Sequence, residues 1–534
     1  MSRSPTPEQS AAIGAAGEVL VSASAGSGKT FVMIEKIISL ILRGEADVSS
    51  VLAVTFTNLA AGEMKERLRA ALVARINEER DAAARARLKA QLSEVATADI
   101  STLHSFCTNV IRRYFYRSDA AGNFRVADEA ESSKIRLRAV DAVFDRLLEN
   151  RDENFALLCR IFAVGRGFSR LRDVLLKSYD RTVVQAGFEA YLRALPSRYD
   201  EAHFDALAEE LFAPVRGRAA RLARECAALE EEAAPLIAQG ILNERHRAFL
   251  RERAEYGAAV AAAPDLFAAA PAAARDLGRK PPNTALKRLG SAAALDLDGR
   301  MGALKEDVDA IRKALEGAGG REEALARFLA SGRPAAALCA LLLEFDAEYA
   351  ALKTRAGVLD FSDLERKCLA LLETPGVREE VAGRYTHVFV DEYQDINPVQ
   401  ERILSLVSGK NVFMVGDAKQ SIYGFRGCSA QFFGKKFESL RPQGRALTLN
   451  GNFRSGTAVL DLVNAVFSQV MTEETGAVDY AATSVMRAGS PDAPRGGASI
   501  VFVPERAEEE KERPERGVYS VAANLGPAED EEYA

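Results

Sequence analysis

One short stretch, residues 19–30, constrains the fold of this chain more than any other. An apolar run is followed by a loop of small residues and then by Lys29 and Thr30, where a helical pattern begins. Strand, small-residue loop, Gly-Lys-Thr and helix in this order are typical of a phosphate-binding loop. The apolar residues on one face of the predicted helix are Phe31, Ile34, Ile38 and Ile41.

The predicted phosphate cradle uses the backbone N–H groups of the loop and the N-terminus of the helix. Lys29 would reach the β and γ oxygens, and Thr30 would place its hydroxyl on Mg²⁺. The first small position is Ala23 rather than glycine, which is acceptable if that residue keeps a negative φ. The alternative is an ordinary Gly/Ser turn before a helix. The predicted nucleotide-contacting residues are Ala23, Ser24, Ala25, Gly26, Ser27, Gly28, Lys29 and Thr30.

Composition excludes several other classes of protein. The chain has 534 residues, of which 48% are hydrophobic and 27% charged, which predicts about three soluble globular domains. Its N-terminus lacks the apolar run of a signal peptide, and we expect no membrane span. The six cysteines form no C-x-x-C pair, so neither a zinc site nor a disulfide framework is indicated, and a reducing cytoplasm fits. A net charge of −6 still allows a local basic groove for nucleic acid.

Further buried strands are predicted at 51–55, 386–390, 412–415, 447–449 and 498–503. The first leads into Phe56-Thr57-Asn58 and a helix that Thr57 or Asn58 can cap. Its apolar face carries Met64, Leu68, Leu72 and Ile76. Residues 100–106 give a short strand, a turn and another helix.

The segment from 116 to 350 has a different character. It is rich in Ala, Glu, Arg and Leu with helical periodicity, and we interpret it as an all-helical insertion whose residues serve packing and surface. Around it the α/β pattern is predicted to form one parallel sheet. Several strands end in polar residues, at the edge where ligands bind in such sheets.

Asp391 and Glu392 follow a buried strand and are the second half of the predicted site. Asp391 can hold Mg²⁺, and Glu392 can orient the attacking water. An acidic pair of this kind also occurs as a simple helix cap. Gln420 is a candidate γ-phosphate sensor and Arg454 a candidate arginine finger, although a surface salt bridge is the alternative for Arg454.

Aromatic residues recur beside the same strand ends. Bases can stack on such rings with little dependence on sequence. We expect Phe56 and Phe425 to be exposed and Phe106 to lie in the core. Gln9, upstream of the first strand, could read adenine through its amide.

Six strings stand in an order that resembles the successive motifs of superfamily 1 DNA helicases of the UvrD/Rep type. They are Ala-Gly-Ser-Gly-Lys-Thr30, Val-Thr-Phe-Thr-Asn58, Ser-Thr-Leu-His-Ser-Phe106, Val-Asp-Glu-Tyr-Gln-Asp395, Val-Gly-Asp-Ala-Lys-Gln-Ser-Ile-Tyr423 and Asn-Phe-Arg-Ser455. Finer strings, such as Leu359-Asp-Phe-Ser-Asp-Leu364, resemble the RecB-like AddA chains of AddAB helicase–nucleases.

This resemblance implies residue roles. Gln9 would read adenine, Phe453 would stack on it, and Arg454 would contact the γ-phosphate. The nucleic-acid track, or its coupling to the ATP site, would be formed by Phe56, Thr57, Asn58, His104, Tyr423, Phe425 and Arg426.

The resemblance also implies a domain plan. A RecA-like P-loop NTPase lobe would comprise residues 1–115 and 351–446, interrupted by the helical insertion 116–350. A second RecA-like lobe would start at 447–504 and be incomplete, before a disordered tail at 505–534. Later motifs and a nuclease domain are not found after 475, so the chain is expected to be an N-terminal portion and, alone, a poor helicase.

The expected function is therefore an ATP- and Mg²⁺-dependent 3′→5′ motor on single-stranded DNA. By resemblance it would act on single- and double-stranded DNA in double-strand break repair and recombination, in the cytoplasm, with an AddB-like partner. The alternative is an ATP-binding regulatory or DNA-binding module that does not unwind. A P-loop NTPase without a nucleic-acid partner is a third hypothesis.

Overall fold

The computed structural model of the chain describes residues 4–162, 167–424, 427, 428, 430–471, 479–489 and 497. The predicted strand at 498–503 and the predicted tail at 505–534 lie outside these residues, and so do Phe425 and Arg426. The strands are β1 (Val19–Ala23), β2 (Val51–Thr55), β3 (Asp99–Thr102), β4 (Arg125–Val126), β5 (Val358–Leu359), β6 (His387–Val390), β7 (Val412–Gly416), β8 (Ala446–Leu449), β9 (Gly451–Asn452) and β10 (Arg487–Ala488).

Helices make up most of the described chain. The first half contains α1 (Pro7–Gly14), α2 (Lys29–Arg43), α3 (Asn58–Glu78), α4 (Ala82–Glu94), α5 (Leu103–Arg113), α6 (Glu129–Glu149), α7 (Glu153–Phe162), α8 (Ser169–Thr182), α9 (Phe188–Ala194), α10 (Glu201–Ala238) and α11 (Glu244–Ala261). The second half contains α12 (Leu266–Ala273), α13 (Thr284–Leu289), α14 (Ala292–Leu315), α15 (Arg321–Ala330), α16 (Gly332–Ala356), α17 (Phe361–Glu373), α18 (Val377–Ala382), α19 (Pro398–Val407), α20 (Ala430–Leu440), α21 (Thr457–Val470) and α22 (Tyr480–Thr483).

A six-stranded parallel sheet forms the centre of the fold, in the order β3-β2-β6-β7-β1-β8. Alternate residues of one strand enter different hydrophobic clusters: Leu52 and Val54 pack with α5, α17 and α19, while Val51 and Ala53 pack with α2 and α3. The sheet is therefore covered on both faces, which explains why its strands read as continuous apolar runs.

The predictions around the first strands are confirmed. The strands β1 and β2 form where the apolar runs lie, and Met64, Leu68, Leu72 and Ile76 are buried on α3. The Thr57 side chain caps that helix by accepting a hydrogen bond from the backbone N–H of Ala60 at 3.1 Å. Phe106 is buried, as expected.

The strand β8 corrects the predicted division at 446/447. It pairs in parallel with β1, with Val21 opposite Leu447 and Ala23 opposite Leu449. Because the hydrogen bonds of a strand come from the main chain, four residues do not reveal which sheet they join. The strand belongs to the first sheet, so any second lobe begins after it.

The described residues between Tyr116 and Ala356 form helices joined by turns and loops, together with one short strand. The two-residue strand β4 pairs with β5, placing Val126 opposite Leu359 at the base of the segment. Position 350, the predicted end of the insertion, lies inside α16. Runs of two residues are too short to carry a periodic signal, so the sequence did not reveal this ladder.

One buried and one partly buried group of ion pairs join the helical segment to α17. Lys353 Nζ lies 3.0 Å from Asp360 Oδ2 and 2.6 Å from Asp363 Oδ2. Arg366 donates two hydrogen bonds, of 2.7 and 2.9 Å, to the two carboxylate oxygens of Asp346. Such pairs tie the two parts together with defined geometry.

One helical stretch of the described residues, Arg321–Ala356, is long and apolar enough to cross a membrane by length and composition. Its second half packs Leu341, Leu342 and Phe345 into a hydrophobic cluster with α6 and α8. It also carries the buried Lys353. These contacts place the second half of the stretch against α6 and α8, and the expectation of no membrane span remains a prediction.

Candidate nucleotide site and nucleic-acid face

The loop between β1 and α2 has the backbone of a close-fitting cradle. Gly26 and Gly28 have φ of +71° and +87°, a region that favours glycine. A Cβ at Gly28 would lie 3.1 Å from Gln9 Nε2, and one at Gly26 would lie 2.9 Å from Arg454 Cβ. Ala23 ends β1 and is not among the described residues with positive φ, so the condition on this alanine is satisfied.

Lys29 and Glu392 bring the two predicted halves of the site together. They are 363 residues apart in sequence, yet Lys29 Nζ donates to Glu392 Oε2 at 2.7 Å. Lys29 starts α2, while Glu392 follows β6 and has a left-handed backbone with φ of +50°. A non-glycine residue in this region is uncommon and is often found at functional sites.

Two carboxyl groups beside Glu392 have strongly shifted pKa values. Burial, and then the charge of Glu392, raise the pKa of Asp391 to about 6. The same two causes raise the pKa of Asp395 to about 6, and its Oδ1 is buried without a partner among the described residues. Both shifts favour the neutral form of these carboxyl groups, and the charge of Lys29 opposes them.

The donor set around Asp391 fits Mg²⁺. Mg²⁺ is commonly held by one or two carboxylates together with waters and substrate phosphates. Asp391 and the hydroxyl of Thr30 carry oxygen atoms of this kind, and their role as ligands remains a prediction. No group of three or more His, Cys, Asp or Glu residues able to hold a metal occurs in the described part of the chain.

Gln394 is a site residue that the sequence analysis did not single out. Its buried amide donates from Nε2 to Glu392 Oε2 at 3.0 Å and to Asp395 Oδ2 at 3.2 Å. Its Oε1 accepts from the backbone N–H of Asp417 at 2.8 Å. A lone glutamine has no periodic signal; only its place inside the Asp-Glu-Tyr-Gln-Asp string could have indicated it.

Gln420 lies on the turn after β7, beside the same cluster. Its Nε2 donates to Asp417 Oδ2 at 2.8 Å, and Lys419 Nζ lies 2.7 Å from Asp417 Oδ1. The predicted sensor is thus held by a buried aspartate that also meets Gln394. Contact with a γ-phosphate remains a prediction.

The Asn-Phe-Arg segment lies directly on the loop. Asn452 Nδ2 donates to the carbonyl of Ala25 at 2.8 Å, and Phe453 N donates to the carbonyl of Gly26 at 2.8 Å. Asn452 Oδ1 accepts from the backbone N–H of Arg454 at 2.8 Å. The segment therefore places Phe453 and Arg454 at the rim of the cradle. Their adenine and γ-phosphate contacts remain predictions.

Gln9 lies behind the loop and is buried. Its Nε2 donates to the carbonyl of Ser27 at 2.9 Å, and its Oε1 accepts from the backbone N–H of Thr6 at 3.0 Å. The Gln9 side chain, which projects from α1, thus supports the phosphate-binding loop by a hydrogen bond. Adenine reading by Gln9 stays a prediction, for which one N–H and one lone pair remain.

Two ring pairs lie beyond the carboxyl ends of the strands. Phe56, 38% exposed, lies 4.7 Å from Tyr423 between ring centroids. His104 lies 4.8 Å from Phe361, a ring that is 54% exposed and that sequence reasoning missed. Each pair thus has one exposed ring, and accessible rings of this kind can stack on the bases of single-stranded nucleic acid.

His104 is held by a buried carboxylate. Its Nε2 lies 2.9 Å from Glu365 Oε1, which also accepts from Gln400 Nε2 at 2.6 Å. The Asn397 amide donates to the other oxygen of Glu365 at 3.1 Å. Of the other predicted track residues, Thr57 and Asn58 are exposed at the start of α3.

The chain is similar in sequence to known helicase proteins. The model of the UvrD/REP helicase N-terminal domain matches residues 5–440. Among curated relatives, the A subunit of an ATP-dependent helicase/nuclease from Pelotomaculum thermopropionicum is 35% identical over 92% of this chain and 41% of its own length. Proteins of the same name from Moorella thermoacetica and Anoxybacillus flavithermus are 34% and 32% identical, over 93% and 97% of this chain. The chain spans 37% and 44% of those two relatives.

Proposed function

Because this chain belongs to the UvrD/REP helicase family, we propose that it is the ATP-hydrolysing motor portion of the larger, A-type chain of an ATP-dependent helicase/nuclease. The motor would move 3′→5′ on single-stranded DNA and act in double-strand break repair and recombination. The observation that carries this proposal is the 2.7 Å contact between Lys29 and Glu392. It joins a phosphate-binding loop to a candidate catalytic carboxylate at the ligand-binding edge of the sheet.

The geometry suggests how the chain prepares the reaction. An incoming γ-phosphate would take Lys29 away from Glu392 and free that carboxylate to orient the attacking water. Thr30 and Asp391 would hold Mg²⁺, which supplies positive charge to the phosphoryl oxygens when bound. Gln420 would sense the γ-phosphate from the turn after β7. Arg454 would approach from the rim and stabilise charge as an arginine finger.

The nucleic-acid track would run along the two ring pairs. Phe56 and Tyr423 would stack on bases, with Phe361 and His104 further along the same edge. Phe425 and Arg426 follow Tyr423 in sequence and would extend the track. Stacking gives affinity without a base code, so binding should be nearly indifferent to sequence.

The architecture we propose is a RecA-like first lobe that carries the helical insertion between α5 and α17. The second lobe would begin after β8, with the segment around Asn452. By the names of its relatives, the chain would work in a helicase–nuclease complex, for which we propose an AddB-like partner. We place it in the cytoplasm, where its DNA would lie; its six cysteines, all among the described residues, are free thiols, which agrees with a reducing compartment.

The test is ATP hydrolysis with and without oligo(dT), in the unaltered chain and in Lys29→Ala. Lys89→Ala, at an exposed lysine on α4, is the matched control. We expect DNA-stimulated hydrolysis that Lys29→Ala abolishes and Lys89→Ala preserves. A hydrolysis rate that is the same with and without oligo(dT) would refute the motor function and favour the ATP-binding module. Hydrolysis that survives Lys29→Ala would refute the site.

DNA binding provides a second measurement. Phosphate contacts release counterions, so affinity for oligo(dT) should fall steeply as salt rises. A strong preference among oligonucleotides of different sequence would contradict the stacking track.

A further inference from the structure

The buried amide of Gln394 joins two parts of the site. It is 2% exposed, and all three of its hydrogen bonds go to groups that matter for the proposed chemistry. On one side it meets the carboxylates of Glu392 and Asp395, and on the other the backbone N–H of Asp417.

Only a primary amide satisfies this arrangement. Two carboxylates require donors, and a backbone N–H requires an acceptor; the glutamine side chain has two N–H donors at one end and a carbonyl oxygen beside them. The neighbouring strand makes room for it. A Cβ at Gly416 would lie 2.5 Å from Gln394 Oε1, so a larger residue there would push the amide out.

Asp417, whose backbone N–H donates to Gln394, begins the segment that leads to the nucleic-acid face. Asp417 begins a short segment, residues 417–424, and its carboxylate holds both Lys419 and Gln420. Further along this segment, the ring of Tyr423 lies against Phe56. A displacement of the Tyr423 end by a stacked base would therefore reach the backbone N–H that Gln394 accepts from.

Glu392, which accepts a hydrogen bond from the Gln394 amide, is the proposed catalytic carboxylate. Glu392 Oε2 receives hydrogen bonds from both Lys29 and Gln394. When a bound phosphate pairs with Lys29 in place of Glu392, the hydrogen bond from Gln394 remains and orients the Glu392 carboxylate.

We propose that Gln394 is a positioning residue that transmits occupancy of the Phe56–Tyr423 ring pair to Glu392. This inference rests on the proposed function, because it assigns regulation to that same ATP site. Bound nucleic acid fixes residues 417–424, the Asp417 N–H fixes the amide, and the amide holds Glu392 in its productive orientation. Without nucleic acid the orientation is less well held and hydrolysis is slow.

The test uses the full chain with two near-isosteric substitutions. Gln394→Met keeps the shape and removes all three bonds, and Gln394→Glu puts an acceptor where two donors are needed. We expect DNA-stimulated kcat to fall by about tenfold or more, as misplacement of a reacting group does. The ratio of stimulated to basal hydrolysis should approach one, while KM for ATP and Kd for oligo(dT) stay within about threefold. Gln443→Met, at an exposed glutamine, should behave as the unaltered chain.

Failure of the inference is distinguishable from failure of the proposed function. If the unaltered chain is stimulated by oligo(dT), Lys29→Ala is inactive and Gln394→Met is still stimulated normally, the function stands and the inference is wrong. If the unaltered chain shows no stimulation, the proposed function itself fails. A rise in KM or Kd with unchanged kcat would also overturn the positioning role.

Hydrogen exchange on the unaltered chain tests the same link when a variant does not fold. With a non-hydrolysable ATP analogue present, adding oligo(dT) should slow exchange of the Asp417 amide, whose hydrogen is donated to Gln394. Exchange at Asp417 that is the same with and without oligo(dT) would refute the link.

Discussion

The substitution Glu392→Gln separates binding from catalysis at this site. Lys29 pairs with Glu392 at 2.7 Å, so a phosphate that binds Lys29 would compete with that carboxylate. Gln keeps an acceptor oxygen but loses the charge. The two side chains are 14% and 32% exposed, so solvent partly screens their attraction. We therefore take the free energy of the Lys29–Glu392 pair that is lost in Glu392→Gln as about 1 kcal/mol. ATP should then bind about fivefold more tightly.

The same substitution should nearly abolish hydrolysis, because the neutral amide does not activate water. Equilibrium titration with a fluorescent ATP analogue measures affinity, and single-turnover hydrolysis measures the chemical step. Glu63→Gln, which alters an exposed pair with Arg67, is the control and should change neither. Unchanged or weaker ATP binding would show that phosphate does not compete for Lys29. Retained hydrolysis would remove Glu392 from the mechanism.

Three further predictions follow from the geometry of the site. Gly28→Ala should weaken ATP binding and lower the melting temperature, since φ is +87° and the new Cβ lies 3.1 Å from Gln9 Nε2; Gly62→Ala, in open space on α3, should stabilise by about 1 kcal/mol. Asn452→Ala removes three hydrogen bonds of 2.8 Å and leaves two backbone N–H groups without their acceptor, so urea unfolding should show a loss of about 2–4 kcal/mol. Asn450→Ala removes one bond of 3.1 Å and should cost about 1 kcal/mol. The pKa of Asp391 is raised to about 6 in the folded chain, above its unfolded value of about 3.9, so this group makes the nucleotide-free fold less stable as pH rises from about 4 to 6. Thermal melting between these pH values should show that slope, and Asp391→Asn should reduce it to the part that Asp395, with its pKa also raised to about 6, contributes. A flat profile in the unaltered chain would contradict the shift.

The parts of the fold that the sequence predicts are those with a local signal. The apolar runs at β1, β2, β6 and β7 are buried on both faces and read as continuous strands. The face of α3 repeats every three or four residues. Each of these signals lies within one element, so it survives without knowledge of the rest of the molecule.

Other features depend on which elements meet, and the sequence does not carry that information locally. The pairing of β8 with β1 uses main-chain hydrogen bonds that any residues could form. The ring of Phe361 becomes a neighbour of His104 only because α17 packs on α5. The motif order predicted that Lys29 and Glu392 share a site, but their direct contact follows only from the packed sheet.

The backbone of Glu392 shows why such a site needs support from several sides. A non-glycine residue at φ of +50° costs about 1 kcal/mol or more, and glycine, which would avoid that cost, cannot supply the carboxylate. Four hydrogen bonds hold the residue: its N–H donates to Asp391 Oδ1 at 3.0 Å, its carbonyl accepts from the backbone N–H of Asp395 at 2.9 Å, and its carboxylate accepts from Lys29 and Gln394. The Lys29 contact is the one that a phosphate would take away. The remaining side-chain contact comes from an amide that also bonds the segment leading to Tyr423. A conformation that is costly by itself and held by few contacts is one that small changes at a distant face can bias. This is the physical reason to expect that hydrolysis at Glu392 responds to nucleic acid.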